Sequence, residues 1–214
     1  MSLADLLGKY AGPNTVVFGL GKGGTLVAAE LAHWLGASLD LLLVQALDLP
    51  CDEKTMIGAI GPGRGCVLDE EIIDLLDIES DAIGTLRCQA DAELDQQNLF
   101  LRGGRALQNV KNQTAILVDD VIASTVKIRA AVLYLQQQAP HSVIVAAPVI
   151  TTSALRCLRS IVNDVVAVDE PETAPHIGRI YVNAITPSDT EVRRVLGVSE
   201  PTDELLTRLP TDDS

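Results

Sequence analysis

Short apolar runs recur along this chain at residues 16–20, 39–47, 114–118, 143–150 and 165–168. Runs that are apolar on both phases of the two-residue repeat predict strands buried on both faces, as in a parallel sheet. Between them the apolar positions fall three or four residues apart. Val27, Leu31 and Leu35 predict a crossover helix over residues 23–35, and residues 124–138 and 152–162 predict two more. Ser188 with Glu191 three residues later predicts a capped helix running to Leu196, and Gly197 suits its end. Strand and helix alternate, which predicts an α/β protein with a doubly wound, mainly parallel sheet covered by helices on both faces.

The alternation breaks between residues 51 and 111, a stretch too long for one crossover. Residues 56–60 read as a short strand ending in the turn Gly61-Pro62-Gly63, and residues 69–77 as a short acidic helix. Ile83, Leu86, Ala90, Leu94 and Leu101 form one stripe of a longer helix over residues 80–101. The expectation is a single domain over residues 1–199, with a helical hood inserted at about residues 51–105 and packed over the strand ends. An acidic tail over residues 200–214 follows.

Composition narrows the function classes. The chain has 214 residues, 29 acids against 16 bases, a net charge of −13 and only 3% aromatic residues. That charge repels a phosphate backbone, and few rings are available to stack on bases, so nucleic acid is not an expected partner. The four cysteines, Cys51, Cys66, Cys88 and Cys157, and the three histidines, His33, His141 and His176, show neither zinc-ligand nor catalytic-triad spacing. Scattered thiols, no basic and apolar leader at residues 1–14, and no apolar run long enough to span a bilayer set the expectation of a soluble cytoplasmic protein without a membrane partner.

Two strand-to-helix junctions carry candidate chemistry, because ligands of doubly wound sheets bind beyond the carboxyl ends of the strands. The first is Phe18-Gly19-Leu20-Gly21-Lys22-Gly23-Gly24. Its G-x-G-x-x-G spacing fits a dinucleotide fingerprint, with Asp48 as the acid for a ribose diol; it also fits a tight turn with close helix packing. The second runs from Thr114-Ala115-Ile116-Leu117-Val118 into Asp119-Asp120-Val121-Ile122-Ala123-Ser124-Thr125-Val126-Lys127. Two adjacent acids at the end of a buried strand are costly unless they face a cleft. There they can accept from ribose hydroxyls or hold Mg²⁺ through its water shell. The hydroxyls and free amides of the following helix start suit one phosphate, although Asp120 or Ser124 as a simple helix cap explains either residue alone.

This second junction resembles the phosphoribosyl pyrophosphate (PRPP) motif of the type I phosphoribosyltransferases. The similarity extends from about Val16 to Gly197: the glycine loop is similar to that family's pyrophosphate loop, and Leu101-Arg102-Gly103-Gly104-Arg105, Ala147-Pro148-Val149 and Ser188-Asp189 with Glu191-Val192 resemble a bacterial subgroup of it. The resemblance implies the type I fold, a homodimer, and Mg²⁺ bound with PRPP. Asp119 and Asp120 would hold the ribose hydroxyls, the loop from Val121, Ile122 and Ala123 through Ser124, Thr125, Val126 and Lys127 the 5′-phosphate, and Lys22, Gly23 and Gly24 the pyrophosphate. It implies no direct protein metal ligand and identifies no catalytic residue.

The chain departs from the family pattern at informative places. Val121 replaces a glycine, Ser124-Thr125-Val126-Lys127 replaces Thr-Gly-x-Thr, Lys22 stands for an arginine, and Gln45-Ala46 stands where the subgroup has a basic pair. A positive φ at the β-branched Thr125 would be strained, so the loop is expected to take another shape. Lys127 restores a charge near the phosphate, while a departing pyrophosphate has fewer cations to stabilise it. The sequence thus leaves three classes open: a phosphoribosyltransferase acting on a nitrogen base, a catalytically weakened nucleotide or sugar-phosphate binding protein of the same fold, and an NAD(P)-binding oxidoreductase.

Overall fold

The computed structural model of the protein describes residues 2–50, 52–173 and 187–199. In chain order the elements are α1 (Leu3–Leu7), β1 (Thr15–Leu20), α2 (Gly21–Leu35), β2 (Ser38–Leu42), β3 (Gln45–Leu49), β4 (Asp52–Ile60), β5 (Cys66–Leu68), α3 (Glu70–Leu75) and α4 (Ser80–Arg102). Then follow β6 (Thr114–Val118), β7 (Val121–Ile122), α5 (Val126–Gln137), β8 (Ser142–Ile150), α6 (Thr152–Leu158), β9 (Asp164–Asp169) and α7 (Asp189–Val195). Tyr181, His176 and the tail over residues 200–214 lie outside the described residues.

The main sheet is parallel throughout, in the order β2-β1-β6-β8-β9. β6 and β7 run along the same side of β8, pairing Val118 with Ala146 and Val121 with Val149, and the ladder is interrupted between them at Asp119 and Asp120. Alternate side chains serve opposite cores, as strands covered on both faces require. Val16, Phe18, Leu117 and Val145 pack with Ile128, Leu135, Leu155 and Leu158 of α5 and α6. Val17, Ile116 and Ile144 pack with Leu7, Ala28, Leu31 and Leu35 of α1 and α2. The doubly wound fold expected from the sequence is the observed one.

The inserted region differs from a purely helical hood. β3, β4 and β5 form a separate antiparallel sheet, and α4 lays Ala90, Leu94 and Leu101 on it together with Leu41, Leu47, Ile57 and Ile60. The strand expected over residues 56–60 is the second half of β4; its polar start, Asp52-Glu53-Lys54-Thr55, carries no apolar alternation to mark it in the sequence. The apolar run 39–47 is likewise not one strand. It leaves the main sheet after Leu42 and enters the hood sheet at Gln45, a change of partner to which hydrophobicity is blind.

A buried ion pair ties the hood to the main sheet. Arg102, at the end of α4, and Asp40, on β2, are both buried, and the guanidinium reaches both carboxylate oxygens. Arg102 also donates to the carbonyls of Leu41, Arg105 and Ala106, and Asp40 accepts from the amides of Leu41 and Gln108. Arg105 donates to the carbonyl of Leu196, just beyond α7, at 2.8 Å. Both arginines thus tie backbone together.

Candidate functional site

The carboxyl ends of β1 and β6 open into a cleft of about 540 Å³, roofed by the hood strands β3 and β4. Asp119, Asp120, Val121, Ala123, Ser124 and Lys127 line one wall. Leu20, Gly21 and Ile128 extend that wall, and Val44, Ala46, Asp48 and Met56 come from the hood side. One continuous segment, Asp119 to Lys127, therefore supplies nearly all the polar groups facing the sheet end.

The acid pair is held close to the start of α2. A methyl group at Gly23 would lie 2.7 Å from Asp120 Oδ2, and one at Gly24 only 2.5 Å from the Val118 carbonyl oxygen and 3.0 Å from the Asp119 Cα. The glycines thus let the first turn of α2 seat directly against the acids. Gly19 has the same function within the turn, since a methyl there would overlap the Thr25 Cα. This is the close packing that the fingerprint spacing also allowed, and Asp48 sits on β3 in the hood instead of closing β2 as a dinucleotide site needs. Gly24→Ala is expected to cost about 1–3 kcal/mol, the range for overpacking, because the nearest atoms a methyl would meet are backbone. Thermal unfolding checks this.

Asp119 Oδ1 accepts from the Asp120 amide at 2.9 Å, and Asp120 Oδ1 accepts from the Val121 amide at 2.9 Å. Burial, and then the negative charge of Asp120, push the Asp119 carboxyl up to about 8, with a small opposing pull from Lys127. At neutral pH the Asp119 carboxyl therefore holds its proton, beside the charge of Asp120.

The segment from Val121 to Lys127 has a conformation of its own. Thr125 precedes the first residue of α5 with φ −96°, so the expected strain at this β-branched residue is avoided. Its side chain caps no amide. The Cys157 thiol of α6 lies 3.7 Å from the Thr125 hydroxyl. With no side-chain cap, the first amides of α5 remain available to an anion, beside the exposed Ser124 and Lys127. Ser124 is not the helix cap, which answers the simplest structural reading of this run.

Several sequence candidates fall elsewhere. Ile122 and Val126 are buried in the cores, so they contribute backbone only. Lys22 does not line the cleft; its ammonium pairs with Asp189, at the start of α7, at 2.6 Å. Gln45 donates to Glu93 of α4 at 2.7 Å and faces the hood helix, leaving only Ala46 of that pair on the cleft wall. Among the described residues, no three His, Cys, Asp or Glu side chains are close enough to hold a metal ion. No helix there is long and apolar enough to cross a membrane.

No family model matches the sequence. Two curated proteins of Mycobacterium tuberculosis, from strains CDC 1551 and H37Rv and both named "Putative phosphoribosyl transferase", are each 29% identical over 190 residues. The match covers 89% of this chain and 43% of theirs, so the chain spans less than half the length of these relatives. The crystal structure of TT1426 from Thermus thermophilus superposes with a TM-score of 0.75 at 28% identity, over 91% of this chain and 92% of that one. The chain is thus an α/β protein with a mainly parallel sheet flanked by helices, similar in sequence to proteins named as phosphoribosyl transferases. Its relatives bear that name over nearly the whole of this chain.

Proposed function

We propose that the cleft binds a 5-phosphorylated ribose, with PRPP and Mg²⁺ as the ligand pair, for transfer of the phosphoribosyl group to a nitrogen base. The observation that carries this reading is the arrangement of Asp119, Asp120, Ser124 and Lys127 along one wall, beside the uncapped start of α5. Acids and cation are separated along that wall in the order a ribose with a 5′-phosphate needs. The acids accept from the ribose hydroxyls; the amides, the Ser124 hydroxyl and the Lys127 ammonium receive the phosphate.

Mg²⁺ fits this site as an ion shared with the ligand, since two adjacent carboxylates without a third ligating side chain leave most of its shell to ligand oxygens and water. When bound, it supplies positive charge against the pyrophosphate. The protein's own task is to orient the ribose and phosphate and to exclude water beneath the hood.

The pairing of Lys22 with Asp189 and of Gln45 with Glu93 favours a second reading, in which the ligand is bound while transfer is weak. Titration with PRPP, with and without Mg²⁺, tests binding. Release of pyrophosphate in the presence of purine and pyrimidine bases separates transfer from binding. Lys127→Ala is expected to weaken PRPP and ribose 5-phosphate by about 1–3 kcal/mol, the range for a charge-assisted contact. Equal affinities by calorimetry refute the phosphate role of Lys127.

A further inference from the structure

Asp48 is the polar group of the cleft that the ribose and phosphate leave unused. It lies on hood strand β3 on the side of the cleft whose other lining residues are Val44, Ala46 and Met56, all apolar. Among the described residues its carboxylate makes no hydrogen bond or ion pair, although it is half-buried. It also stands apart from Asp119 and Asp120, for the three acids do not form a cluster that could hold a metal ion. Its position is built by an irregularity in the hood sheet. Leu47 pairs with Gly58 but Asp48 pairs with Met56, so β4 carries Ile57 as an extra residue. Ile57 turns into the hood core, fully buried, and Met56 takes the place opposite Asp48 on the cleft wall. Without the extra residue the β-branched Ile57 would be paired with the carboxylate. Bulges re-aim side chains in this way beside binding sites.

An unpaired carboxylate on an otherwise apolar wall favours a ligand that offers hydrogen-bond donors and opposes one that brings negative charge. We infer that Asp48 selects the acceptor: it receives an N–H group of the nitrogen base, so the hood side takes bases bearing amino or ring N–H groups and excludes bases bearing a carboxylate. This rests on the proposed transfer function: with the ribose at Asp119 and Asp120 and the phosphate at Lys127, the hood side of the cleft is left for the base.

The test is calorimetric binding of adenine, an amino-bearing base, and orotate, a carboxylated one, to the wild-type chain and to Asp48→Ala, Asp48→Asn and Asp48→Lys. Each is measured with and without PRPP and Mg²⁺. Wild type is expected to bind adenine at least about tenfold more tightly than orotate. Asp48→Ala should lose about tenfold or more for adenine, Asp48→Asn should recover part of that loss through its remaining acceptor oxygen, and Asp48→Lys should invert the preference. Overturning results are equal adenine affinity in wild type and Asp48→Ala, equal binding of the two bases by wild type, or binding of neither base. PRPP titration of the same samples keeps the two readings apart. PRPP bound normally by wild type without base discrimination sinks the role of Asp48 alone, whereas failure of PRPP to bind sinks the proposed function.

Discussion

Arg102→Leu is expected to destabilise the fold by about 3–5 kcal/mol, the cost of leaving a buried charge without its partner. Asp40 would keep only its two amide donors, from Leu41 and Gln108, and the carbonyls of Leu41, Arg105 and Ala106 would lose their guanidinium. For a chain of this size that corresponds to a fall in Tm of roughly 6–20 °C. Urea unfolding of the single variant and of Asp40→Leu/Arg102→Leu separates the two contributions. The double variant removes the orphaned carboxylate and should regain part of the loss, while the three unsatisfied carbonyls hold it below wild type. Arg102→Lys should recover little, because an ammonium cannot reach both oxygens of Asp40 and the carbonyls in one plane. Equal stability of Arg102→Leu and wild type would remove the ion pair from the account of how the hood is held over the cleft.

The second large effect lies in the acid pair. Asp119 is raised in the fold to about 8 by burial and by the charge of Asp120. In the unfolded chain it titrates near ~4, so between these values the folded state holds a proton that the unfolded state has released. Below about pH 4 both states are protonated and the group costs nothing. As pH rises, stability falls by up to ~1.4 kcal/mol per unit, and the loss is complete above about pH 8.

Asp119→Asn removes that titration while its amide oxygen can still accept from the Asp120 backbone, and its NH₂ can donate where the carboxyl proton was. The variant should therefore match wild type near pH ~4 and exceed it in Tm by several degrees at about pH 8.5. Its affinity for Mg²⁺ and PRPP should fall, because the carboxamide cannot supply the second negative charge. Wild-type binding at about pH 7 should release protons, measurable by calorimetry in buffers of different ionisation enthalpy; the variant should release fewer. A Tm difference independent of pH would show that Asp119 is not protonated in the fold. Burial of Asp119 thus lowers stability above about pH 4.

Much of the site was legible because its groups are local in sequence. The run from Asp119 to Lys127 carries strand end, acid pair, hydroxyl and cation within one junction, and the parallel fold points that junction outward. The strands Thr114–Val118 and Ser142–Ile150 were equally plain, since burial on both faces leaves an uninterrupted apolar run. Lys22 shows where local reasoning stops: its motif suggested a pyrophosphate contact, yet Asp189, far along the chain, receives its ammonium. Arg102 shows the same in reverse. A turn sequence of Arg-Gly-Gly-Arg reads as exposed, and only the approach of β2 brings Asp40 to bury it.

The sequence alone determined the doubly wound sheet, the two strand-to-helix junctions and the segment that lines the cleft, because hydrophobic period and junction chemistry are properties of neighbouring residues. The tertiary structure decided the antiparallel sheet in the hood, the partners of Lys22, Gln45 and Arg102, and the bulge that sets Asp48 against Met56. Those are pairings between segments far apart in the chain, and a charged or polar residue carries no record of which distant partner the fold will bring to it.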